Sequence, residues 1–162
     1  MIDSTYKVIN FLSDDNVEKL IKYSNSDAQI KKFTSDGKRF KNKLSFNEWL
    51  KKGRKVYCLV DKQNDLMGIC WFGRKGNGFT LALRIYGQAR GRGLGYWFLK
   101  EAMANFMNED EYLKSTKKDW WLESSEDNIA AIKIYEKLGF KLSEKGTKTG
   151  KLIYRRRHDF EF

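Results

Sequence analysis

Phe79-Thr80-Leu81-Ala82-Leu83-Arg84-Ile85-Tyr86-Gly87-Gln88-Ala89-Arg90-Gly91-Arg92-Gly93-Leu94-Gly95 is an apolar strand pattern running straight into a glycine-rich loop. The residues that follow, to about Met107, have the spacing of an amphipathic helix. Such a junction gathers backbone N–H groups at a helix start with no side chain to block close approach. The helix dipole adds roughly half a positive charge there, and Arg90 and Arg92 each add a full one. A pyrophosphate is the natural ligand. Two familiar phosphate binders are disfavoured. The dinucleotide fingerprint would place a glycine where Tyr96 stands, and no Gly-Lys-Ser/Thr follows for a nucleoside-triphosphate loop.

Upstream, Leu66–Phe72 and Val56–Val60 read as strands joined by a turn at Asp61–Asp65, and Gly73–Gly78 reads as the turn into the strand 79–86. Earlier still, Thr5–Leu12 reads as a first strand. Ser13-Asp14-Asp15 offers caps for a helix with Val17, Leu20 and Ile21 at helical spacing. Ser45-Phe46-Asn47-Glu48 matches a capping box opening a second short helix, with Trp49 and Leu50 inward and Lys51-Lys52-Gly53 at its close. Downstream, Trp120–Glu123 is a strand and Asn128–Leu138 a helix closed by Gly139. Phe140–Phe162 is a final hairpin turning around Gly146–Gly150. The expected architecture is α/β, with a central, mixed and mostly antiparallel twisted sheet of about seven strands and helices on both faces.

The 162 residues suit a single domain over 1–162, and 41% hydrophobic residues supply a core. No apolar run reaches the roughly 18 residues that span a bilayer, and Met1–Leu12 lacks a signal-peptide pattern. A soluble, cytoplasmic protein with no membrane partner is expected. Cys58 and Cys70 fall on neighbouring strands in a register that points them to opposite faces, so no disulfide is expected. His158 is the one histidine, and no metal-ligand spacing can be assembled. Asp159 beside it would point to the other face of a strand, so His158 is given no role.

Net charge is +11, unevenly placed. Lys31–Lys55 holds ten basic residues against two acids, and Lys141–Arg157 seven against Glu144. These blocks would attract a phosphorylated cofactor, an anionic substrate or nucleic acid, or simply form a solvated surface.

Arg90-Gly91-Arg92-Gly93-Leu94-Gly95 resembles the cofactor motif of the GNAT superfamily of N-acetyltransferases, Gln/Arg-x-x-Gly-x-Gly/Ala. A second block agrees. Trp121-Leu122-Glu123 precedes Asn128-Ile129-Ala130-Ala131-Ile132-Lys133-Ile134-Tyr135-Glu136-Lys137-Leu138-Gly139-Phe140, similar to the family's Asn-x-x-Ala-x-x-x-Tyr-x-x-x-Gly-Phe. The resemblance implies acetyl-coenzyme A as cosubstrate and transfer of its acetyl group to an amine by direct attack. It also implies a bulged strand that splays from the next, its backbone at Leu83, Arg84 and Ile85 pairing with the cofactor arm. The loop residues Arg90, Gly91, Arg92, Gly93, Leu94, Gly95 and Tyr96 would grip the pyrophosphate. Gly87 stands where the family usually has proline, which relaxes the turn without removing a donor.

By the same resemblance Asn128 would bond the cofactor arm, Tyr135 would protonate the leaving thiolate, and the Ile85 N–H would meet the oxyanion. Glu123, at the end of its strand, is the first candidate for general base, with Glu126 the alternative and Glu101 too far along its helix. The bland readings are a surface carboxylate for Glu123, an aromatic plug for Tyr135 and a helix cap for Asn128. Small amines, a protein amine, an antibiotic or an aminoacyl-tRNA all remain as acceptors, with the positive charge favouring an anionic one. A rival class is a non-catalytic module binding coenzyme A, or binding RNA through the two basic blocks. Homodimer pairing through the exposed last strand is a further possibility.

Overall fold

The computed structural model describes residues 5–76, 78–116, 118–146 and 150–157. His158, the end of the final hairpin and most of its turn lie outside those residues.

Ser13 opens α1 (Asp14–Ser26), its hydroxyl accepting from the Asn16 N–H at 3.2 Å, with Asp14 and Asp15 against the positive helix end. Asp27 then caps α2 (Ala28–Phe33) by accepting from the N–H groups of Gln29 and Ile30. Two more helices follow, α3 (Asp36–Arg39) and α4 (Lys43–Leu50). The sequence reading of two helices here thus misses α2 and α3, which are too short, at six and four residues, to show an apolar period; α2 is set by the Asp27 cap, whereas α3 has no side-chain cap bond. The expected capping box is also displaced. Asn42, not Ser45, caps α4, and the Ser45 N–H donates to Asn42 Oδ1 at 2.9 Å. Phe46 and Trp49, three apart, therefore share the buried face, whereas Leu50 is rotated out and exposed.

The strands are β1 (Lys7–Ile9), β2 (Lys55–Val60), β3 (Leu66–Lys75), β4 (Gly78–Ile85), β5 (Asp119–Ser124), β6 (Lys141–Lys145) and β7 (Leu152–Arg156). They form one seven-stranded sheet in the order β1-β2-β3-β4-β5-β7-β6. All pairings are antiparallel except β4 with β5. The expected first strand is shorter than its apolar pattern, and the turn expected at 73–78 is largely taken up by β3 and β4. The last strand, β7, lies inside the sheet, so an edge contact between subunits would use β6 instead.

Two cores flank the sheet. Leu20, Ile30, Phe40, Phe46 and Trp49 from α1, α2, the α3–α4 link and α4 pack on Cys58, Ile69 and Trp71. On the other face Phe98, Leu99, Met103 and Phe106 of α5 (Leu94–Phe106), Tyr112 of α6 (Asp110–Leu113) and Tyr135 of α7 (Ile129–Lys137) pack on Phe72, Phe79, Leu83 and Trp120. Cys58 and Cys70 fall in opposite cores, as the register requires, and both are free thiols.

Candidate active site

Parallel pairing between β4 and β5 is limited to Gly78↔Asp119, Phe79↔Trp120 and Thr80↔Trp121. Beyond Thr80 the two strands separate, β4 running on to Ile85 and β5 to Ser124. The opening is a cleft of about 270 Å³ walled by the end of β4, the loop 89–96, Glu123–Ser125, α7 and α2.

The register explains which backbone groups face it. The Tyr86 N–H donates to the Met67 carbonyl at 3.0 Å. Hydrogen-bonded and non-bonded pairs alternate along an antiparallel ladder, so Arg84 turns its amide groups to β3, while Leu83 and Ile85 turn theirs to the open side. The β3–β4 register runs unbroken from Gly68↔Ile85 to Lys75↔Gly78, so the expected bulge is not on β4. The register shift on this side of the sheet is between Leu59 and Val60 of β2.

At the mouth, Gly91 and Gly93 have φ of 76° and 71°, left-handed values that only glycine adopts without strain. Gly93 is the cap of α5 and supplies no side-chain bond, which leaves the first amides of a 13-residue helix directed at the cleft. Gly95 serves packing, since a Cβ there would lie 2.6 Å from Ile134 Cδ1 of α7.

A family description, acetyltransferase (GNAT) domain, fits residues 3–141. The chain belongs to the GNAT acetyltransferases. These enzymes carry out acyl transfer from acetyl-coenzyme A, the cosubstrate of this chain. No curated protein matches the chain. Among solved structures it shares the fold of a domain from Methanocaldococcus jannaschii at 20% identity and TM-score 0.73, covering 96% of this chain and 99% of that one. It is similarly like spermidine N-acetyltransferase from Vibrio cholerae in complex with CoA and spermine, at 14% identity, TM-score 0.72 and 94% of each chain. The protein YncA of Salmonella typhimurium with its cofactor acetyl-CoA matches at 17% identity and TM-score 0.70, over 98% of this chain and 96% of that one.

Within this GNAT cleft the structure brings together Leu83, Arg84, Ile85, Arg90, Gly91, Gly93, Leu94, Gly95, Tyr96, Glu123, Asn128 and Tyr135. Arg92 stands apart, donating from Nη1 to the Tyr6 hydroxyl at 2.9 Å. Arg90 is at the cleft, but its charge is shared. Its Nη2 lies 2.5 Å from Asp27 Oδ1, and the Gly87 N–H donates to Asp27 Oδ2 at 3.1 Å. Burial works against the Asp27 carboxylate. Hydrogen bonds from Arg90, Ile30 and Gly87 and the Arg90 charge outweigh it and hold the pKa below its ordinary value. Asp27, which the sequence reading did not single out, thus ties the cap of α2 to the start of the loop.

Asn128 caps α7, its Oδ1 accepting from the Ala131 N–H at 3.4 Å, which leaves the amide NH2 for other partners. Tyr135 is buried against Phe140 on the α5–α7 side of the sheet. Desolvation pushes its phenol up to about 12, with the Arg84 charge opposing, so its proton is in place at neutral pH. Glu123 lies between buried Leu122 and Ser124 and is exposed, hence on the opposite face of β5. Among the described residues its carboxylate forms no ion pair. Glu126 instead lies 3.8 Å from Lys145 Nζ and lines an adjoining hollow, which shares Phe33, Thr34, Ser125 and Lys151 with the cleft. Among the described residues no helix is long and apolar enough to cross a membrane.

Proposed function

We propose that this enzyme moves an acetyl group from acetyl-coenzyme A to an amine by direct attack, with Glu123 as general base and Tyr135 as general acid. The observation that carries this reading is the separation of β4 from β5 past Thr80, with Glu123 and Tyr135 entering the opening from opposite faces.

The amides of the loop and of the first turn of α5 hold the pyrophosphate, and the edge groups of Leu83 and Ile85, with the Asn128 amide, hold the pantetheine arm. The Ile85 N–H donates to the carbonyl oxygen as it gains charge. An ammonium loses two protons in becoming an amide. One passes through Glu123 to solvent, which frees the nitrogen lone pair for attack on the thioester carbon. As the C–S bond breaks, Tyr135 protonates the thiolate, and the second amine proton restores the balance.

Glu123→Gln keeps size and most hydrogen bonding while removing proton acceptance. Release of thiol from acetyl-coenzyme A over an amine panel should fall roughly 10²–10⁴-fold at neutral pH, and rise again with pH as more amine is neutral. Glu126→Gln removes the same charge outside the cleft and should change turnover little. A large pH-rescued loss in Glu126→Gln, with none in Glu123→Gln, would exchange their roles.

A further inference from the structure

Arg84 is the one place where β4 puts a charge beside the splayed edge, and its surroundings are built. The carboxylate of Asp36, fully buried, accepts from Arg84 Nε at 2.7 Å and Nη2 at 3.2 Å. Arg39 Nη1 shares the same carboxylate at 2.5 Å, so two guanidinium groups surround one acid and the cluster keeps a net positive charge. Trp71 lies beneath, 4.8 Å from Arg84 and 5.5 Å from Arg39, measured from the ring centroid. Burial works against the Arg84 charge, but Asp36 more than offsets it and raises its pKa.

The third contact of Arg84 decides where the group sits. Its Nη1 donates to the Leu83 carbonyl at 3.1 Å. That carbonyl belongs to the edge turned away from β3, so the guanidinium overhangs the open side of β4 on the face that carries α1–α4. Glu123 occupies the same face across the opening. Of the five guanidinium N–H groups, those on Nε, one on Nη2 and one on Nη1 are engaged. One on each terminal nitrogen remains for a ligand. A fixed cation on β4 and a carboxylate on β5 thus line the same cleft.

We propose that the acceptor is a small amine bearing a carboxylate next to its amino group, an α-amino acid or a close relative. Its ammonium meets Glu123 and its carboxylate meets Arg84. The inference rests on the reading above and adds the substrate class. Arg84 neighbours Ile85, whose N–H serves the thioester carbonyl, so a group bound by Arg84 lies only a few bonds from the attacking nitrogen. Diamines and polyamines would instead bring a second cation towards two guanidinium groups.

The test compares thiol release with matched pairs, lysine against cadaverine and phenylalanine against phenethylamine, with phenylalaninamide to separate charge from size. The acid of each pair should have a kcat/KM roughly ten- to hundredfold higher, the worth of one charged hydrogen bond. Arg84→Met should lower kcat/KM for the acid about tenfold more than for its amine partner. Because that variant leaves Asp36 facing Arg39 alone, the neutral pair Asp36→Asn with Arg84→Met supplies a second measurement with the same expected loss of preference. Equal rates within the pairs, a preference for the decarboxylated amines, or an acid preference that survives both variants would overturn the assignment. If acetyl-coenzyme A stabilises the protein but no member of any pair is acetylated, the substrate class fails and the cofactor site stands. Absence of that stabilisation would instead sink the proposed function itself.

Discussion

Tyr135, the general acid of the proposed mechanism, would serve packing and chemistry from one position. Its ring belongs to the core beneath α5 and α7, while the same residue walls the cleft. Burial that fixes the ring also pushes the phenol up to about 12, so the proton the proposed acid would donate is in place throughout the neutral range. Tyr135→Phe should therefore keep acetyl-coenzyme A affinity within a few-fold and the fold intact, while turnover drops roughly 10²–10⁴-fold. A fall of less than about tenfold, by the same thiol-release assay, would mean that the ring packs and does no more. Asp27 makes the complementary case, a residue whose charge holds structure. Asp27→Asn retains an acceptor for the α2 cap but loses the ion pair with Arg90, and should cost roughly 1.5–3 kcal/mol at neutral pH. Because the folded pKa is depressed, that contribution is fully present above the ordinary carboxylate range and is lost as pH falls through the folded value. Denaturation of the two proteins from pH 7 down to pH 3 should show the gap narrowing below about pH 4; a gap independent of pH would remove the charge from the explanation.

Elements long enough to show a period, or marked by glycine, were legible in the sequence, and helices of four to six residues were not. The strand–loop–helix junction at Phe79–Met107 and the helix from Asn128 declare themselves because Gly91 and Gly93 need left-handed backbone and the apolar spacing is long. α2 and α3 are short, and they are held by Asp27, which caps α2 and accepts from the remote Gly87 N–H, and by Asp36, which pairs with the remote Arg84. Their invisibility hid one wall of the cleft, formed by Gln29, Ile30, Phe33 and Thr34. The register, too, lay beyond sequence. That Leu83 and Ile85, but not Arg84, present their amides to the opening follows from which residues of β3 lie opposite, and no local pattern encodes it.

Across the molecule the cleft divides the sheet into β1–β4 and β5-β7-β6, two parts joined, among the described residues, by a three-residue parallel ladder. Gly78 begins that ladder, and a Cβ there would fall 2.2 Å from the Asp119 carbonyl oxygen, a backbone atom that cannot step aside. Gly78→Ala should cost about 1–3 kcal/mol through the backbone shift it forces. Acetyl-coenzyme A, in the proposed site between the loop and β4 on one side and α7 on the other, should act in the opposite sense. At a hundredfold excess over its dissociation constant it would add about 2.7 kcal/mol, which for a chain of this length raises Tm by roughly 5–11 °C. The two effects can be separated. Gly78→Ala should lower the unliganded Tm and keep most of the ligand increment, because the cleft lining is untouched. Gly93→Asp should do the reverse. A Cβ at Gly93 meets nothing within 4 Å, so the cost is confined to the left-handed backbone, which aspartate tolerates better than most residues. The carboxylate, however, would stand among the amides meant for the pyrophosphate and repel it. Thermal melts of wild type and both variants, with and without acetyl-coenzyme A, decide the matter, since a full ligand increment in Gly93→Asp would mean that the pyrophosphate is held elsewhere.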